Sequence, residues 1–385
     1  MKRLLIGLLA LTAASAVSAQ RGVTDNEIVV GGMHDLSGVF SAFSVPAVRA
    51  AQQYFAEVNA EGGVHGRRIR YIVEDHGYQV PRSMQAANKL VNRDRVFAML
   101  MNMGTPHNLA AFRVMDRQDV PSLFPLALSR QMQEEGDFSR RFVYSSSYYH
   151  QMRAALTWME AEHGIERVCI MYIPSDFGEE VHQAGKDVAE DTNMTLVAAT
   201  SHRPDESDFS GTLSRLRSRN CELVVLAVAI RPIISVMATA RDMGWDDVKF
   251  MVSPAGFHSA VAAAPGGVTE GLYGPAAGED IYSRIEEPEV AEWVASYRAA
   301  HGDMPNTGAA LGRTIAELFV RGLEEAGRDL TVDSLVAALE SLDYEDPISG
   351  ARVTMSADNH EAISGVYVSQ VQDGVWNLVE VLESR

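Results

Sequence analysis

Short apolar runs alternate with longer amphipathic ones through most of this chain, and they do so in two successive series. A strand buried on both faces reads as an unbroken apolar run. An amphipathic helix between two such runs returns the chain to start a parallel neighbour. The first series reads as strand Ile28 to Gly32, helix Val45 to Asn59, strand Ile69 to Glu74, helix Pro81 to Asn92, strand Val96 to Met101, helix Pro106 to Gln118 and strand Pro121 to Pro125. The second begins after Tyr144 with helix Tyr149 to His163. It runs through strand Val168 to Tyr172, helix Gly178 to Asp191, strand Leu196 to Ala199 and helix Phe209 to Ser218. Strand Leu223 to Val228, helix Pro232 to Met243 and strand Lys249 to Val252 close it. The pattern predicts an α/β fold of two Rossmann-like lobes with parallel central sheets, and 385 residues suffice for two cores.

The tail changes character. Val290, Trp293, Val294 and Tyr297 recur on one helical face, and helices over Gly308 to Ala326 and Val332 to Leu342 follow. The end is β-rich: Arg352 to Met355, Ile363 to Val371, then Trp376 to Val381, with Asp373-Gly374 as a hairpin turn. Helices followed by strands fit a chain that recrosses between the lobes.

The first residues predict export. Met1-Lys2-Arg3 is a positive start, Leu4 to Leu11 an apolar core, and Val17-Ser18-Ala19 a small-x-small cleavage pattern, so residues 1–19 read as a signal peptide and the mature chain as starting at Gln20. No cysteine stands at the cleavage point to carry a lipid anchor, and no later apolar run has membrane length, so no direct membrane insertion is expected. Loss of Lys2 and Arg3 takes the net charge from −18 to −20. Such an acidic chain repels nucleic acid and anionic lipid, which argues against both as partners. Cys169 and Cys221 are the only cysteines, too few for a disulfide scaffold or a cysteine zinc site. Export makes a bridge between them feasible, with two buried thiols the favoured alternative.

In open α/β sheets ligands sit beyond the carboxyl ends of the strands, where helix N-termini present free N–H groups. The loop Met103-Gly104-Thr105-Pro106 is the most informative. Thr105 suits an N-cap, Pro106 the first helical position, and Gly104 lets a ligand approach the backbone. An anion there would meet amide N–H groups and the Thr105 hydroxyl, although a well-capped helix needs no ligand. The Ser145 to Gln151 loop offers Tyr148 and Tyr149 to close over a ligand or to pack a hinge, and Pro174 to Gly178 offers Phe177 as a ring. Arg231 can pair with a carboxylate or simply face solvent. His34, Asp35, Asp75 and His76 lie on adjacent loops, as metal ligands or, more commonly, as caps and turn residues.

Enzyme signatures are missing: there is no Gly-x-Ser-x-Gly elbow, no phosphate loop ending in Gly-Lys-Ser/Thr and no His-Glu-x-x-His spacing. Gly31-Gly32 with Gly38 lacks the dinucleotide spacing. No enzyme activity and no cofactor is expected.

A series of short motifs then appears in order. They are Leu36-Ser37-Gly38, Val58 to Gly66, Glu74 to Tyr78, Ala87 to Val91, Gly104-Thr105-Pro106, Val120-Pro121, Asp176-Phe177-Gly178, Asp208-Phe209-Ser210 and Glu270-Gly271-Leu272. Together they resemble the type I periplasmic solute-binding proteins of ABC importers, in the branched-chain amino acid (Leu/Ile/Val) receptor group. The resemblance spans about Glu27 to Val381.

It implies a periplasmic, monomeric receptor that closes two lobes on a small molecule and presents it to an inner-membrane permease. It also implies a three-strand hinge, with crossings near Ser147, Gly278 and Val353 to Glu361. The lobes would be residues 26–147 with 278–355, and 148–277 with 356–385. A sensory ligand-binding module would use the same fold.

In that group the ligand carboxylate meets the loops matching Met103-Gly104-Thr105 and Ala127-Leu128-Ser129, and a ring matching Phe177 stacks on the ligand. The ammonium side departs from the pattern. Ser253-Pro254-Ala255-Gly256 replaces the expected glutamate, and Ile230-Arg231 the expected tyrosine. An unpaired buried ammonium is costly, so an organic or aromatic acid or a neutral amide fits better than an amino acid.

Overall fold

The computed structural model describes residues 20–134 and 138–384; the expected signal segment lies outside them. The two series become two sheets. In the first, six strands lie in the order Glu361–Ile363, Arg141–Ser145, Ser122–Leu123, Ala98–Leu100, Glu27–His34, Arg68–Asp75, every neighbouring pair parallel. The second orders seven strands as Val375–Glu383, Gly365–Gln372, Tyr273–Ala276, Lys249–Val252, Leu223–Ala227, Arg167–Tyr172, Thr195–Ser201. It is parallel except at one edge, where Gly365–Gln372 runs antiparallel to both neighbours. The turn after it uses Asp373 and Gly374, both at positive φ, as a two-residue hairpin requires.

Each sheet carries apolar clusters on its faces. Ile28, Leu100, Phe142 and Phe319 belong to the main one of the first lobe, and Met171, Val224, Phe250 and Trp376 to that of the second. The helix Thr307–Ala326 lies against Ser41–Ala60 so closely that a Cβ on Gly312 would fall 2.1 Å from the Ala47 carbonyl oxygen. Only glycine permits that approach.

The chain passes from the first sheet to the second between Ser145 and Tyr148, back between Ala276 and Pro288, and across again between Ile363 and Gly365. The last passage differs from expectation. The sequence places residues 356 onward in the second lobe, but Glu361–Ile363 pairs with Arg141–Ser145 in the first sheet, so the crossing is Ser364. Its short run of Glu361-Ala362-Ile363 merges with the following strand in sequence, which hides the change of sheet.

The cysteines also correct the reading. Cys169 and Cys221 form a disulfide, with Cα atoms 5.8 Å apart, rather than two thiols. They are 52 residues apart, but the sheet order makes Arg167–Tyr172 and Leu223–Ala227 neighbours and so brings Cys169, in the first strand, beside Cys221, just ahead of the second.

Candidate ligand cleft

The carboxyl ends of the first sheet's strands open toward those of the second, and a cavity of about 130 Å³ lies between them. Its walls are mostly aromatic and aliphatic. Phe40, Phe43 and Tyr78 come from the first lobe; Tyr148, Phe177 and Phe257 come from the second. Tyr78 packs on Phe40 at 4.6 Å between ring centroids, and Tyr148 meets Phe177 edge to face at 4.9 Å. Such offset and T-shaped pairs hold rings in fixed planes.

The polar groups are few. Gly104 caps the helix Thr105–Asp116 at φ 92, where a Cβ would stand 2.5 Å from His107 Nδ1. The Gly104 N–H is held by the Leu126 carbonyl oxygen and Pro106 has none, so the Thr105 N–H is the one the bare backbone leaves open to an anion. Thr105 Oγ1 is buried beside the Tyr148 hydroxyl, without a hydrogen bond of ordinary geometry. Burial raises the Tyr148 phenol well above its usual value, so it is neutral. Among the described residues no lysine, arginine or histidine lines the cavity, and Glu279 is the only charged side chain that does. Its carboxylate is already engaged by Arg284 at 3.1 Å.

Of the residues expected at a site, Gly104, Thr105, Ala127, Leu128, Tyr148, Phe177 and Ala255 line this cavity together. Ser129, Tyr149 and Arg231 do not. Ser129 is buried behind the wall, where its hydroxyl accepts from the Gln131 N–H and supports Glu180. Tyr149 is one step round the helix Tyr148–His163 from Tyr148. A step of about 100° turns it away from the cavity, where it stays buried, its hydroxyl donates to Asp187 and its ring stacks on Arg130. Arg231 is exposed in the first turn of Ile230–Asp242. Sequence reasoning passed over Phe40, Phe43, Gln151 and Glu279, which lie in segments whose nearness depends on how the lobes meet.

The histidine and aspartate loops hold backbone. Asp35 accepts from the Gly38 and Phe40 N–H groups, and Asp75 from those of Leu36 and Gly77. His76 Nδ1 accepts from the Tyr78 N–H, and its ring stacks on His107 at 4.3 Å. Among the described residues no group of three or more His, Cys, Asp or Glu is placed to hold a metal ion.

Two contacts join the lobes on either side of the cavity. Arg130, on the first lobe, reaches Glu180 on the helix Asp176–Asp191 at 3.2 Å. Elsewhere on the rim, Ser259 and Thr307 exchange hydrogen bonds: each backbone N–H donates to the other's hydroxyl oxygen, at 2.9 and 3.0 Å.

Comparison with known proteins gives a consistent picture. The profile of the family described as periplasmic binding protein matches residues 27–375. The Leu/Ile/Val-binding protein homolog 8 of Brucella suis is 20% identical over 387 residues, 97% of this chain and 95% of the relative. A fatty acid ABC transporter substrate-binding protein from Thermomonospora curvata has the same fold, with TM-score 0.84, 22% identity, and 95% and 94% of the two chains covered. A solute-binding protein of an ABC transporter from Rhodopseudomonas palustris, solved with 3,4-dihydroxybenzoic acid, matches with TM-score 0.81 and 18% identity over 94% and 98%.

Proposed function

The chain belongs to the periplasmic binding protein family, and from that premise we propose that it is the solute receptor of an ABC importer that captures a small carboxylic acid, an aromatic one by preference. In this reading residues 1–19 are removed on export, and the closed, liganded form is what an inner-membrane permease recognises. A closed shape selected by ligand is sufficient signal for a docking partner.

The observation that carries the reading is the composition of the cavity: aromatic walls, no free charge, and one helix N-terminus with an unspent hydroxyl. A carboxylate placed at Thr105 gains its N–H and hydroxyl and the favourable end of the helix dipole. An ammonium would find only Glu279, whose charge Arg284 already balances. The volume suits a ring, since an apolar cavity of about 150 Å³ accepts benzene.

The same Glu279 favours one second reading, a receptor for branched-chain amino acids or amides. It holds only where ligand displaces Arg284 from that carboxylate. Isothermal calorimetry on the ligand-stripped mature protein separates the two. Benzoate-like or short aliphatic acids that bind while leucine and valine do not support the first. Binding of leucine or valine alone overturns it.

A further inference from the structure

Gln151 is fully buried one turn into the helix Tyr148–His163 and lines the cavity beside Ser145. Its amide has one permissible orientation. Nε2 donates to the Ser146 carbonyl oxygen at 2.6 Å and to the Ser145 hydroxyl at 3.3 Å. A carbonyl oxygen accepts and never donates, so the amide oxygen cannot take that place. Oε1 is therefore turned away from the Ser145-Ser146 hinge segment, and it is buried with no hydrogen-bond partner.

A second stretch of wall has the same polarity. The Ser349 and Thr314 hydroxyls both donate to the carboxylate of Asp346, and the neighbouring Tyr144 hydroxyl has one hydrogen to share between them, so this stretch keeps acceptor lone pairs beyond that bond. Glu279 adds another acceptor. The cavity thus combines a donor corner at Thr105 with acceptors at Gln151, Ser349, Thr314 and Glu279.

We propose that the ligand carries a hydroxyl group in addition to its carboxylate, and that Gln151 Oε1 accepts a hydrogen bond from it. This deepens the reading of a carboxylate receptor and rests on it. The class selected is hydroxylated carboxylic acids. A buried acceptor is left unpaired by an analogue that lacks the hydroxyl, and that kind of site discriminates strongly against such analogues.

The test compares 3- and 4-hydroxybenzoate with 3- and 4-fluorobenzoate, which are close in size but donate nothing. Dissociation constants are measured by calorimetry for the wild type and for Gln151→Met. The expected result is that at least one hydroxy acid binds the wild type tenfold or more tighter than its fluoro counterpart, and that the ratio falls to near one in Q151M. Equal binding of the pairs by the wild type overturns the proposal while leaving the carboxylate reading intact. A ratio that persists in Q151M also overturns it. If neither acid of either pair binds, the aromatic-acid reading falls and takes this proposal with it. A crystal structure of the wild-type hydroxybenzoate complex needs no variant. A ligand hydroxyl within 3.2 Å of Oε1 supports the assignment, and a hydroxyl bonded elsewhere refutes it.

Discussion

Arg130 is tied to Glu180 twice: its backbone N–H donates to Glu180 Oε1 at 2.7 Å, and its Nε stands 3.2 Å from the same oxygen. The guanidinium also covers the Tyr149 ring at 3.6 Å. The first residue belongs to one lobe and its partners to the other, so these contacts exist only with the lobes together. Burial raises the Glu180 carboxyl above its ordinary value, and the Arg130 hydrogen bonds oppose that rise. Arg130→Ala leaves the carboxyl in place without its cation and shifts the population toward open forms. Ligand affinity is expected to fall about tenfold, ~1.4 kcal/mol. Calorimetry checks it, together with X-ray scattering to register a larger radius of gyration in the unliganded variant.

Thr105→Ala removes a buried hydroxyl that has no other firm partner. Binding of an anionic ligand should weaken by about 1–3 kcal/mol with little change in the melting temperature of the free protein. Unaltered affinity would place the anion elsewhere.

Gly104→Ala asks for a Cβ at φ 92, 2.5 Å from His107 Nδ1 and 3.1 Å from the Tyr78 ring. Backbone strain and the displaced rings together should cost about 1–3 kcal/mol of stability. Ligand affinity should drop as well, because the approach to the helix N-terminus narrows. Chemical denaturation and calorimetry on one preparation measure both.

The buried histidines set the acid limit. Burial pushes His34 down to about 3, and His76, His107 and His258 to about 4. A histidine kept neutral in the fold is protonated more readily once unfolded. Its contribution is therefore intact above pH 6.5 and lost as pH falls toward 4. Asp280 works in the opposite direction: burial raises it to about 6, which favours the fold as pH falls from 6 toward 3.8. Asp35, Glu180 and Asp346 are raised by burial as well. The four histidines, at roughly 3 kcal/mol each, carry the larger shifts, so the melting temperature should fall between pH 6.5 and 4. His258→Asn, whose side-chain oxygen can take over the bond from the Ala260 N–H, should flatten that fall. A variant with the same slope as the wild type would remove His258 from the account.

Reduction tests the bridge. A closed loop of 52 residues between Cys169 and Cys221 restrains the unfolded chain by about 4 kcal/mol. Dithiothreitol should lower the melting temperature of the wild type and leave that of a Cys169→Ala, Cys221→Ala double variant unmoved.

The alternation of apolar and amphipathic runs carried the lobes, because a buried parallel strand cannot be written in any other composition. Thr105-Pro106 marked a helix start one residue late: Gly104 is the cap, Thr105 is already the first helical residue, and no side chain caps the helix. What sequence left hidden depended on geometry across the chain. Tyr148 and Tyr149 are indistinguishable as letters, and one turn angle sends them to different surroundings. Cys169 and Cys221 became partners through the order of strands rather than their own spacing. Glu279 sits just past a strand end in a stretch without periodicity, so nothing in the letters announced that it would face Gln151 and Thr105 across one cavity.

Ser364 is all that separates a strand held in one sheet from a strand held in the other. One residue reaches at most about 3.6 Å, and the neighbouring passage is stitched to it where the Ser146 N–H donates to the Ile363 carbonyl oxygen. The two halves of the molecule therefore cannot slide past each other or drift apart at that edge. They can only swing, like covers on a spine.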